Sequence, residues 1–142
     1  MATIKNISDL SVGDWVEYEG LHYPITFVGY GEGGDGSLVN LIRPDLSCFI
    51  CKIFDIHPIP ITAEMLEKNG FARGQRGSFY HYLRLDKNRT LYIHASTNGW
   101  RVEITYDAAG ILRTTHLMPD MNSVHQLQHV LRLAGVDKEI NL

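Results

Sequence analysis

The sequence predicts an α+β chain: a small, curved N-terminal β-barrel, a short connecting helix, and a four-stranded antiparallel meander with a C-terminal helix. Three observations predict it. Residues 11–54 hold short runs of strand-forming residues separated by glycine, proline and aspartate. Residues 58–71 read as a proline-bounded connector running into a capped helix. Residues 78–117 hold four alternating runs joined by tight links, and an apolar stripe at helical spacing follows them. The divisions are 1–57 for the barrel, 58–71 for the connector and helix, and 72–142 for the meander and its helix.

In the first division, residues 11–18 are a turn feeding a strand, and Glu19-Gly20 is a tight hairpin link to a longer strand over 21–30. Pro24 has no amide to donate, so it belongs on an edge or at a bulge. Residues 31–36 are an acidic, glycine-rich loop. Strands over 37–43 and 47–54 flank a turn at Pro44-Asp45. Strands this short and this dense suit a highly curved barrel, whose closure would remove exposed edges.

Pro58 and Pro60 fix an extended connector, since each locks its own φ and steers the preceding residue away from helix. Thr62 is then the N-cap, and Glu64 lies in the first turn, where negative charge is favoured. Asn69 closes the helix, Gly70 supplies the left-handed residue, and Phe71 folds back on Leu66. Residues 72–77 are a basic, glycine-rich loop. The meander strands are 78–86, 89–96, 100–106 and 111–117, with turn-forming links between them. The last helix runs over about 124–134. Ser123 and Gln126 have capping-box spacing, and Gly135 with Val136 makes a second Schellman-type stop. Val124, Leu127, Val130, Leu131 and Ala134 form its apolar stripe, which needs the meander to pack on.

Composition is that of an ordinary soluble domain, 44% hydrophobic and 20% charged over 142 residues. Residues 1–7 lack a basic segment leading into an apolar core, and no apolar run approaches the roughly 20 residues of a membrane span. The expectation is a cytoplasmic protein with no membrane partner. The net charge of −3 conceals a split. Residues 1–70 carry four Lys/Arg against ten Asp/Glu, whereas residues 71–142 carry nine against six. So mild a basic excess is not that of a dedicated nucleic-acid domain.

The His57-Pro58-Ile59-Pro60-Ile61 connector, the run from Glu64 through Leu66 to Lys68-Asn69-Gly70-Phe71, and Val124-His125-Gln126-Leu127-Gln128 carry a resemblance. The chain resembles a family of small proteins common in phage and mobile elements of gut anaerobes. Those members likewise open with a strand like Gly13-Asp14-Trp15-Val16. The resemblance implies the architecture and a phage or mobile-element setting. It brings no established activity and no catalytic residue.

Residues that could carry chemistry are few. Residues 31–36 match G-x-G-x-x-G, but a strand follows where a dinucleotide site needs a helix, and Glu32 and Asp35 would repel phosphate. Cys48 and Cys51 have C-x-x-C spacing within a strand, which turns them to opposite faces and suits neither chelation nor a disulfide. His125 and His129 lie one helical turn apart, yet no glutamate follows His125 as a zinc protease would need. No nucleophile elbow is present. Neither catalytic residue, metal nor small-molecule cofactor is expected.

The meander offers more. Phe79, His81, Leu83 and Leu85 alternate with Tyr80, Tyr82 and Arg84; Leu91, Ile93 and Ala95 alternate with Tyr92 and His94. With the aliphatic set turned to the helix, Tyr80, Tyr82, Arg84, Tyr92 and His94 form the opposite face. Arg73, Arg76, Lys87 and Arg89 are expected around it. Such a face is a solvated sheet surface, one covered by the barrel or a twin subunit, or a binding one. The expected function is that of a non-enzymatic accessory or adaptor protein working through contact with a protein partner or with itself. The alternative is single-stranded nucleic acid, stacked on the aromatic face beside arginine.

Overall fold

A computed structural model describes residues 4, 6–30, 37–74 and 80–142. The acidic loop at 31–36, Arg76 and Phe79 lie outside the described residues. The chain divides into two compact units, residues 1–60 with 123–125 and residues 61–122 with 126–142.

The first unit is built on β1 (Trp15–Tyr18), β2 (Leu21–Tyr30), β3 (Ser37–Ile42), β4 (Cys48–Lys52) and β5 (Ile56–Pro58). They form one antiparallel sheet in the order β4-β3-β2-β1-β5. The expected closed barrel is not found: β4 and β5 are the two ends of the sheet and do not pair. The fourth strand also stops earlier than expected, because Ile53–Asp55 turns as a 3-10 helix and redirects the chain into β5. Pro58 is tolerated there because β5 bonds on one side only, to β1. Pro24 stands where β2 passes from pairing β1 to pairing β3, next to an irregularity between Ile25 and Phe27. Thr26 Oγ1 donates to Asn40 O at 3.1 Å across that irregularity. Val16, Ile25, Val39, Leu41, Ile53 and Ile56 are the centre of a single core.

The second unit starts with α1 (Ala63–Lys68). Thr62 Oγ1 accepts from Met65 N at 3.2 Å. Gly70 has φ +85°, and Phe71 N and Gly70 N donate to Leu66 O and Glu67 O, both at 3.1 Å, completing a Schellman ending. Phe71 and Leu66 are buried. The cap has a further layer: buried Asn69 donates from Nδ2 to Met65 O and Asn141 O, each at 2.8 Å, and its Oδ1 accepts from Asn141 N at 2.7 Å.

The meander has five strands, not four. They are β6 (Ala72–Arg73), β7 (Tyr80–Arg84), β8 (Arg89–Ser96), β9 (Gly99–Ala108) and β10 (Ile111–Met121), in the order β10-β9-β8-β7-β6. The extra strand, β6, occupies the start of the expected basic loop and pairs Ala72 with Tyr82 and Arg73 with His81. Leu91, Ile93 and Val102 are fully buried on one face. The last helix, α2 (Val124–Leu133), buries Leu127, Val130 and Leu131 and ends at Gly135, φ +72°, with Val136 N donating to Leu131 O at 2.8 Å. Gln126 Oε1 reaches back over the start of α2 to accept from Asn122 N at 2.8 Å. Among the described residues no helix is long and apolar enough to cross a membrane.

Candidate interaction face

Strand periodicity and register build the candidate site. On β7 and β8, His81, Leu91 and Ile93 point to the buried side, so Tyr80, Tyr82, Tyr92 and His94 point away from it. Antiparallel pairing sets Tyr82 opposite Tyr92 and Tyr80 opposite His94. The four rings form one half-exposed cluster. Tyr80 lies 6.3 Å from Tyr82, 6.0 Å from Tyr92 and 5.7 Å from His94, and Tyr92 lies 6.1 Å from Tyr82. Tyr92 and His94 are stacked, with 22° between their planes. These separations are those at which aromatic pairs attract beyond simple burial. Gly74 completes the edge of the cluster, because a methyl group there would collide with the Tyr80 ring.

Three polar neighbours on this face were not singled out from the sequence. Glu103 on β9 is opposite Tyr92 on one side and His116 on the other. Its carboxylate is 14% exposed and lies 3.0 Å from Arg101 Nε, 3.2 Å from His116 Nδ1 and 3.4 Å from His94 Nε2. One carboxylate is thus ringed by a guanidinium and two imidazoles. Nothing local in the sequence signals this, since it depends on the registers of β8, β9 and β10.

The basic residues are arranged otherwise than expected. Arg84 is on the face, but it folds onto its own turn, donating from Nη2 to Lys87 O at 3.2 Å and from Nε to Asp86 O at 3.4 Å. Arg73, paired with His81, sits on the opposite side and approaches Glu67 at 3.8 Å. Arg89 also belongs to the opposite side, bonded to Asp86 at 2.7 Å and to Ala134 O at 3.4 Å. Arg73 and Arg89, expected to border the rings, therefore do not surround them.

The remaining candidates separate. Cys48 is exposed and Cys51 buried, as opposite faces of a strand require. Burial, reinforced by Asp55, pushes the Cys51 thiol up to about 11. His125 is buried and His129 half-buried on α2. Among the described residues no three His, Cys, Asp or Glu side chains converge on a metal-holding geometry. The first unit has an open groove of about 490 Å³, lined by Glu17, Tyr18, Glu19, Phe54, Asp55 and His57. Glu19 holds the Tyr18 phenol above its ordinary value. No protein-family model matches the chain, and neither a curated protein nor a solved structure gives a significant match.

Proposed function

We propose that this protein is a non-enzymatic accessory or adaptor module of the cytoplasm, of phage or mobile-element origin, that docks a protein partner on the Tyr80, Tyr82, Tyr92 and His94 face. The observation that carries this reading is the half-exposed four-ring cluster on the side of the sheet opposite its buried residues. Tyrosine presents a large, stiff contact area with a polar tip, the combination enriched at protein interfaces. Electrostatics favours protein over nucleic acid as the occupant. The Glu103 carboxylate sits beside the rings and would repel phosphate, Arg101 is committed to it, and Arg84 is committed to its turn. A single-stranded binder instead needs a free cationic track alongside its stacking platform.

The test pairs stability with binding. Ile93→Ala removes a fully buried side chain and should cost about 2–5 kcal/mol, whereas Tyr82→Ala and Tyr92→Ala should cost much less. The same tyrosine variants should lose a partner that the wild type retains after nuclease treatment, each by about tenfold or more as interface anchors do. Tyrosine variants as unstable as Ile93→Ala would make the face a core surface and end this reading. Tight binding of a single-stranded oligonucleotide, weakening steeply with salt, would replace the protein partner with nucleic acid.

A further inference from the structure

The two sheets have four ends among the described residues, and three of them are less than half the length of the fourth. β4 has five residues, β5 has three and carries Pro58, and β6 has two. The fourth end, β10, has eleven. Edge strands expose a row of unpaired N–H and C=O groups, and proteins blunt them with brevity, proline, lysine or bulges. On β10 those devices are confined to the second half, where the register shifts after His116 and Pro119 interrupts. Residues 111–116 pair regularly with β9, and every one is exposed, including Ile111 at 57% and Leu112 at 68%. The chemistry that recognises such an edge is another extended strand.

We propose that this strand is a second copy of β10, joining two chains edge to edge into one ten-stranded sheet. The surface is distinct from the aromatic cluster, and either proposal can fail alone. Self-complementarity argues for a second copy. In antiparallel pairing about a two-fold axis normal to the sheet, facing residues share a face, so the axis passes through one residue. An axis at Arg113 would oppose two guanidinium groups. An axis at Thr115 would set Ile111 against Pro119, which has no amide for the ladder. An axis at Thr114 pairs Thr114 with itself, Arg113 with Thr115, Leu112 with His116 and Ile111 with Leu117. There no like charges meet, and the outer pair is aliphatic. β6 is too short to receive β10 of another copy, so head-to-tail growth is blocked and the assembly closes at two.

Sedimentation velocity on the full chain, from low to high micromolar, should move from 16.1 kDa toward twice that mass. Thr114→Lys should stay monomeric with an unchanged melting temperature, because two ammonium groups would meet on the axis while the folded chain keeps an exposed side chain. In a Cys48→Ser background, Thr114→Cys should give a disulfide-linked dimer under mild oxidation. Its two Cα atoms would lie about 4.5–5.5 Å apart, inside the bridging range. Leu112→Cys should not cross-link, with its copies about 14 Å apart along the strands. The proposal is overturned by a wild type that is monomeric throughout, by association indifferent to Thr114→Lys, or by Leu112→Cys linking as readily as Thr114→Cys.

Discussion

Cys48 and Cys51 are three positions apart on one strand and have opposite reactivity for that reason. Cys51 is buried, its Sγ 3.7 Å from Val39 O, and its thiol is pushed up to about 11, so it stays protonated where thiol reagents act. Alkylation of the native protein at mildly alkaline pH should therefore modify Cys48 and spare Cys51 until the chain unfolds. Equal labelling of both thiols would show that Cys51 is not buried as described. Gly70 gives a second test at this scale. At φ +85°, with Lys138 Nζ at an ordinary contact distance of 3.6 Å from where a Cβ would stand, Gly70→Ala meets a backbone penalty and no clash. The variant should lose about 1 kcal/mol, read from thermal unfolding, and an unchanged melting curve would remove the left-handed stop. The roles of Thr62, Gly70 and Phe71 were legible in the sequence because each bonds within five residues. That of Glu103 was not, since its partners sit on three different strands.

Two hairpin links share one geometry. Glu19 and Gly20 have φ +49° and +78°, and Ala109 and Gly110 have φ +53° and +76°. Both are two-residue links with positive φ throughout, which matches strand twist and favours Asn-Gly. Alanine accepts the left-handed region poorly, whereas asparagine is enriched there. Ala109→Asn should thus raise stability, by up to about 1 kcal/mol, in thermal or denaturant unfolding. A loss of stability would contradict the turn type. At the scale of elements, what could be read from sequence follows the length of the pattern. The period-two alternation of Tyr80 to Arg84 and of Leu91 to His94 extends over enough residues to assign faces. β5 and β6 have three and two residues, and only their pairing partners make them strands. Barrel closure failed as an expectation because strand density is local, while closure needs a pairing between β4 and β5 that no local pattern specifies.

At the scale of the whole molecule, no group of three or more His, Cys, Asp or Glu among the described residues could hold a metal ion. Cys48 and Cys51 face apart, and His94 and His116 reach Glu103 in company with Arg101, a fixed cation that competes for the carboxylate. Purified protein should accordingly contain no stoichiometric zinc, and a chelator should leave its melting temperature unchanged. One metal per chain by elemental analysis would overturn this and direct attention first to Cys48, Cys51, His125 and His129. The charge split between the halves was legible by counting. The placement of those charges was not, since Arg73 and Arg89 could be assigned a side only after their cross-strand partners were known.

The Asn69 cap carries a consequence for biosynthesis. Its buried amide is closed by the backbone of Asn141, 72 residues downstream. On the ribosome the Thr62 cap and the Gly70 turn can form as soon as their own segment emerges, but the amide of Asn69 has no Asn141 to bond until 72 further residues have been made. Until then that end of α1 must borrow water for its unmet groups, so the first helix of the unit to be synthesised is sealed only after α2 has followed it.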